Sequence, residues 1–379
     1  MSSLVAGGAD ARWRGTPLRA AEIVLFGVLP LLALGYVFGR VVVGGLDVYA
    51  VLPYTHAAHA ILHGQNPYPA STDSDFLRGA GYVYPPLTAQ ASIPLTVLPL
   101  HVAEVSMMVL LVAAVLGSLW ILGVRDWRCY GIPFLWPPVL SAIQTGNITL
   151  PLGLCAALAW RYRDRLVPAS AAVGVTLAAK LFLWPLVVWF AATKRTATAV
   201  AASAVGVGLL IASWAVISFD GFLGYPDRLR RLDQTLGEDS YTTYIVGLDA
   251  GLPSLLARLL WLALGVGVLA AVVVLARRGD ERTAFVLALC AALALTPIVW
   301  LHYFALLLVI VSLMQPRLAV AWFVPFAMVL TPGSGHPTPF QTAWTLVVAA
   351  ATVALAVRGV DLRRWSRANG GAAPAAVGR

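Results

Sequence analysis

Residues Arg19–Tyr49, RAAEIVLFGVLPLLALGYVFGRVVVGGLDVY, decide the fold. The run Arg19–Val43 is apolar almost throughout and long enough to cross a bilayer, for which about 20 residues are needed. At its far end stands Leu46-Asp47-Val48-Tyr49. Asp47 is the sole acidic residue between Glu22 and Asp73. A carboxylate at the mouth of a membrane helix, followed by a long polar and aromatic loop, points to chemistry at a bilayer surface.

The remaining sequence repeats this pattern. Of 379 residues, 60% are hydrophobic and 11% charged, and the mean hydropathy is +0.82. A soluble domain is about half apolar and a quarter charged, so the chain reads as an all-α polytopic membrane protein. No stretch is polar enough to fold separately, and residues 1–379 read as a single membrane domain. The net charge of +9 comes from short basic clusters between apolar runs, as in the loops of membrane proteins, and not from a nucleic-acid-binding face. Cys129, Cys155 and Cys290 form no CxxC pair, which argues against a disulfide framework or a cysteine zinc site. Met1–Leu18 lacks the short apolar core and cleavage site of a signal peptide.

Along the chain, residues 44–100 form a first long loop. Within it Tyr49–His63 reads as an interfacial helix ended by Gly64, Asn66-Pro67-Tyr68-Pro69 as a turn, and Leu87–Leu98 as a segment too short to span. His101–Val124, Thr196–Ser218 and Pro253–Ala276 are full spans. Pairs of short apolar runs flank three polar points: Tyr130–Ile143 and Ile148–Trp160 around Gln144-Thr145-Gly146-Asn147, Val167–Ala179 and Leu181–Ala192 around Lys180, and Thr283–Val299 and Tyr303–Met314 around Trp300-Leu301-His302. Residues 219–251 form a second long polar loop. Leu318–Leu330 and Phe340–Val357 precede a basic tail, 358–379. The pattern predicts about twelve transmembrane or broken helices.

With the N-terminus inside, only Arg40, Arg78, Lys180, Arg228, Arg230, Arg231 and Arg258 of the 26 Lys and Arg fall at the outer side. The positive-inside rule therefore predicts cytoplasmic termini. The same topology puts Asp47, Gln144, Asn147, Lys180, His302 and both long loops on the outer face. Ionisable groups in a membrane domain are costly, so their convergence marks a candidate site. Alone, Asp47 is equally a helix cap or a base; the convergence favours a base. Lys180 is a snorkelling lysine or a cation for a phosphate. Arg228, Arg230 and Arg231 form an outer basic patch suited to a lipid phosphate, offset by Asp227 and Asp233. His302 shares the face of Asp47. His56, His59 and His63 have the spacing of one helical face. A metal would suit that geometry, but no Cys completes the set, and an interfacial helix is the simpler reading. The tryptophans near span ends form an aromatic belt. No GxGxxG, Walker A, HExxH or GxSxG occurs.

Asp47-Val48-Tyr49, Gly64-Gln65-Asn66-Pro67-Tyr68, Tyr84-Pro85-Pro86, Gln144-Thr145-Gly146-Asn147, Ala179-Lys180-Leu181 and Trp300-Leu301-His302-Tyr303 occur in this order. In this the chain resembles glycosyltransferase family 87 of the GT-C superfamily, the polyprenol-phosphate-sugar-dependent mannosyl- and arabinofuranosyltransferases of actinobacteria. One departure is Gln144-Thr145-Gly146-Asn147, where the family usually has Gly-Gln before Asn. The resemblance implies a GT-C-type fold in a bacterial inner membrane with a periplasmic active site. It implies a polyprenyl-phosphate donor, most simply of mannose, and a glycolipid or lipoglycan acceptor. It assigns Asp47 as general base, with His302 beside it, and Lys180 with Arg228, Arg230 and Arg231 at the donor phosphate. Tyr49, Asn66, Tyr68, Tyr84, Gln144, Asn147 and Trp300 would line the substrate. No cofactor is required, and a divalent metal is left open. Rival expectations are an arabinofuranosyl donor, a lipid-linked sugar transporter, and an assembly subunit.

Overall fold

A computed structural model describes residues 17–43, 51–70, 81–332 and 336–359. All regular structure among these is helical. The first half holds α1 (Pro17–Val43), α2 (Leu52–Leu62), α3 (Pro86–Ala91), α4 (Leu100–Ile121), α5 (Pro137–Gln144), α6 (Thr149–Arg161), α7 (Leu166–Ala179) and α8 (Pro185–Ala192). The second half holds α9 (Thr196–Val216), α10 (Tyr225–Leu236), α11 (Thr243–Asp249), α12 (Ser254–Arg277), α13 (Glu281–Ala294), α14 (Leu301–Met314) and α15 (Pro339–Arg358). Between the last two, Val320–Leu330 forms 3₁₀ turns. Prolines open several helices at the one turn where a missing N–H costs nothing, as Pro86, Pro137, Pro185 and Pro339 do. Thr338 and Gln341 cap α15 reciprocally, and Gly359 ends it with φ +67°.

Among the described residues five helices are long and apolar enough to cross a bilayer: α1, α4, α9, α12 and α15. The chain is a polytopic all-α membrane protein. The expectation of about twelve transmembrane or broken helices includes the arms of hairpins, and these arms are short. α5 and α6 bend by 117° at the break between them. The pairs α5/α6, α7/α8 and α13/α14 have arms of 8 to 14 residues. At 1.5 Å per residue even the longest of these rises only about 20 Å, against a hydrocarbon core of about 30 Å.

The hairpins are locked together at the end where the arms carry arginine. Arg195 bonds Asp164 at 2.7 Å and Glu281 at 3.0 Å, so it ties the α6–α7 turn, the start of α9 and the start of α13. Arg163 lies over the Trp160 ring at 4.5 Å. Beneath, Trp160, Trp189 and Phe285 form an aromatic cluster with centroids 5.0–5.9 Å apart. Arg128 likewise joins Asp126 and Glu22, each at 2.9 Å. α7 and α9 cross where both lack a side chain: a Cβ on Gly174 would meet Val205 Cβ at 2.7 Å, and one on Gly206 would meet Leu177 Cβ at 2.8 Å. Small residues permit such close backbone approach between membrane helices.

The two long loops are more ordered than a polar stretch implies. α2 occupies Leu52–Leu62, within the expected Tyr49–His63; Tyr49 lies outside the described residues. The second loop, read from sequence as a long polar loop, contains α10 and α11. α10 is polar on average, but Tyr225, Arg228, Leu232 and Leu236 recur at helical spacing and turn inward.

Candidate active site

The hairpin tips opposite the arginine end carry Asn147, Lys180 and His302, and the structure brings these three elements together. α5 ends at Gln144, and Gly146 at φ +62° turns the chain back so that Asn147 stands two residues ahead of α6. Asn147 is buried. Its Nδ2 lies 2.8 Å from His302 Nε2 and donates to Tyr84 OH at 3.0 Å. His302 sits in the 3₁₀ turn that begins α14, is 7% exposed, and packs its ring against Tyr303 and Trp300 at 5.1 and 5.7 Å.

Lys180 follows the last residue of α7, in extended backbone that breaks the helix. Its Nζ lies 3.6 Å from the Tyr303 ring centre and 5.4 Å from those of Tyr84 and Phe182. That atom is sealed from solvent and has no hydrogen-bond partner among the described residues. Aromatic faces attract a cation, but they satisfy none of the three N–H donors of an ammonium. The lysine is therefore held in place with its hydrogen-bonding capacity unspent.

Loop residues close over the tips. Thr88 on α3 donates to Ala179 O at 3.2 Å, and Gln90 donates to Ser213 O of α9 at 2.7 Å. Tyr84 stacks on Tyr54 of α2 at 5.8 Å. Asn66 accepts from Tyr68 N–H at 2.9 Å in a tight turn, and Tyr68 OH donates to Tyr84 O at 3.1 Å. Tyr68 in turn meets Trp214 at 5.7 Å and Tyr225 at 5.5 Å, while Tyr225 OH donates to Val83 O at 2.8 Å. Burial pushes the Tyr68 and Tyr225 hydroxyls up, so both remain protonated donors.

Against the sequence expectations, Asn147, His302, Tyr84 and Trp300 form one cluster, with Lys180 seated on the Tyr84 and Tyr303 rings. Asn66 and Tyr68 belong to its roof. Gln144 lies half-buried at the end of α5, two residues from the Gly146 turn. Arg228 lies over the Tyr68 ring at 5.1 Å and bonds Pro69 O, which makes it a clamp on the first loop. Arg230 pairs with Asp227 at 2.7 Å on an exposed face, and Arg231 is also exposed. His56, His59 and His63 are exposed on α2, and among the described residues no three His, Cys, Asp or Glu side chains gather as a metal site. Asp47 and Tyr49 lie outside the described residues.

Sequence reasoning missed Thr149, Tyr54 and Glu104, and gave Tyr303 no role beyond its place in the Trp300-Leu301-His302-Tyr303 motif. Thr149 bonds Asn147 through both its backbone and its hydroxyl. Glu104 is 6% exposed inside the span α4, with His101 3.4 Å away. It was legible as the one acidic residue in that span. Thr149 and the tyrosines carried no signal of their own, because aromatic and hydroxyl residues are ordinary at span ends.

Residues 82–301 match glycosyltransferase family 87. The chain belongs to that family. The matched stretch begins at Tyr82 and ends one residue before His302. It holds Tyr84, Gln144, Asn147, Lys180, the Arg228–Arg231 patch and Trp300. No curated protein and no solved structure matches the chain. As a member of glycosyltransferase family 87 it is a membrane glycosyltransferase, acting on a sugar donor and an acceptor.

Proposed function

We propose that the chain is an inverting transferase that moves a sugar from a polyprenyl-phosphate donor to a cell-envelope glycolipid or lipoglycan. Mannose is the preferred sugar. One observation carries the reading: a sealed lysine nitrogen, Lys180 Nζ, with no hydrogen-bond partner among the described residues, at the tips of helical arms of 8 to 14 residues. A recess of that depth suits a headgroup still attached to its lipid, and a buried cation with unused N–H donors suits the phosphate that departs. An apolar groove of about 520 Å³ lies on the other side of the His302 segment, lined by Val299, Phe304, Leu307 and residues of α12, α13 and α15. An isoprenoid chain fits such a surface.

In this reading Asp47 removes the proton from the acceptor hydroxyl as its oxygen attacks the anomeric carbon. The bond from that carbon to the phosphate oxygen breaks, the polyprenyl phosphate leaves with the electron pair, and Lys180 meets the charge. A β-linked donor yields an α-linked product. Arg228 holds the first loop over the site. The charge distribution of the loops supports a bacterial inner-membrane protein with cytoplasmic termini and a periplasmic site.

The test is lipoglycan and glycolipid analysis of a deletion strain, complemented with wild type and with Asp47→Asn. Loss of one glycoform, restored only by wild type, is expected, and the sugar missing from it identifies the donor. Full complementation by Asp47→Asn would remove the catalytic assignment. Transport of a lipid-linked sugar by the purified protein, with no product formed, would overturn the whole reading.

A further inference from the structure

Asn147 is an amide whose orientation is fixed on one side. Its Oδ1 accepts from Thr149 N–H at 3.0 Å and from Thr149 Oγ1 at 2.7 Å. A backbone N–H can only donate, so the oxygen of the amide must face Thr149 and the nitrogen must face away. The nitrogen then meets Tyr84 OH at 3.0 Å and His302 Nε2 at 2.8 Å. An amide NH₂ has hydrogens to give and nothing to accept with. His302 Nε2 must therefore be the acceptor, which means that it carries no proton.

We infer that Thr149, acting through Asn147, holds His302 as the neutral ring protonated at Nδ1, and so makes it a hydrogen-bond donor to the substrate. The second nitrogen has no hydrogen-bond partner among the described residues, and the packing of Trp300 and Tyr303 fixes the ring plane that aims it. The charged or titratable groups around the imidazole are Lys180, Tyr84 and Tyr303, and no carboxylate among the described residues pairs with it. A ring locked in this form does not serve as general base through Nε2. Its Nδ1–H suits an acceptor oxygen, and on the function proposed above that oxygen belongs to the phosphate or to a sugar hydroxyl. Thr149 and Asn147 are positioning residues; His302 is the group that meets substrate.

The protein has six histidines, so the test is nitrogen-15 NMR of histidine-labelled full chain in detergent, with His302 assigned by its loss in His302→Gln. No substrate is needed, which separates this test from that of the function. At neutral pH the wild type should show His302 with an unprotonated Nε2 and a protonated Nδ1. Asn147→Asp exchanges the donor for an acceptor and should move the proton to Nε2. Thr149→Ser and Thr149→Val both keep the backbone N–H that orients the amide and should preserve the wild-type signature, whereas Thr149→Val loses the hydroxyl bond and should lower kcat up to about tenfold, the value of one such hydrogen bond. A wild-type His302 protonated at Nε2 would overturn the inference. An unchanged tautomer in Asn147→Asp would also overturn it.

Discussion

Replacing Lys180 with methionine should make the protein more stable and nearly inactive. The Nζ lies 3.6 Å from the Tyr303 ring centre, a contact that contributes about 2 kcal/mol when desolvated. The rings of Tyr84 and Phe182, at 5.4 Å, add less. Against this, sealing an ammonium from water costs several kcal/mol even after relaxation, and no hydrogen-bond acceptor meets it among the described residues. The balance is a net cost of about 1–3 kcal/mol. Methionine has nearly the same length and gains sulfur–aromatic contacts with the same rings, about 0.3–1.5 kcal/mol. Thermal unfolding of Lys180→Met in detergent, without substrate, should therefore occur at a higher temperature than wild type. Transfer should fall by about a hundredfold or more, the usual consequence of removing one preorganised charge donor. A destabilisation above about 2 kcal/mol would show that the lysine is structural. Retention of most of the transfer rate would show that it does not meet the leaving group.

Three further outcomes follow from the packing and charges. Gly206→Ala places a methyl 2.8 Å from Leu177 Cβ, which cannot swing aside, and should cost about 1–3 kcal/mol in thermal unfolding; Gly208→Ala, with nothing within 4 Å, should be close to neutral. Arg228→Ala removes the clamp on Tyr68 and Pro69 and should speed proteolysis of the first loop and lower transfer, while Arg230→Ala breaks only an exposed pair and should change stability by less than about 1 kcal/mol. The hydrogen bond from Arg195 holds the Asp164 carboxyl below its ordinary value of 3.8. Its contribution is present above that value and fades as pH falls through the depressed one, so the thermal midpoint should drop on acidification, less so in Asp164→Asn.

Much of the site was legible because ionisable and amide groups inside apolar sequence are rare, and each was found where two short apolar runs meet. Asn147, Lys180 and His302 were singled out on that ground. What hydropathy does not report is length measured against the bilayer. The runs flanking these residues read as crossings, yet α6, α7 and α13 are only 13 or 14 residues long. The helices of the second loop were missed for a related reason: α10 carries Asp227, Arg228, Arg230, Arg231 and Asp233, and its average polarity hides the inward stripe that ends in Leu232 and Leu236. Thr149 was invisible because its role is a relation to Asn147, two residues back, and a threonine in the first turn of a helix has a bland explanation in capping. The roles of Arg228 and Arg230 diverge for a reason that sequence does not hold, since neighbours on one helix face different partners.

The short arms and the ion-paired end belong to one design. Asp164, Arg195 and Glu281 remain partly exposed, which holds the arginine ends of the hairpins at a polar boundary. Arms rising about 20 Å from that boundary must stop about 10 Å before the far side of a 30 Å core. Around them α4, α9, α12 and α15 run 20 to 24 residues and do reach across. On the proposed function the tips therefore lie within the thickness of the bilayer, covered by the loop carrying Tyr68, Tyr84 and Thr88. In that setting polar groups cannot rely on water, and each must be either paired or reserved for a ligand. Asn147 is fully paired, to Thr149, Tyr84 and His302. Lys180 Nζ and His302 Nδ1 are left with donors and no acceptor among the described residues. Two unspent donors close to one another ask for one acceptor-rich group. On the function proposed above, a sugar phosphate delivered on a lipid is such a group, and it would meet both donors without leaving the membrane.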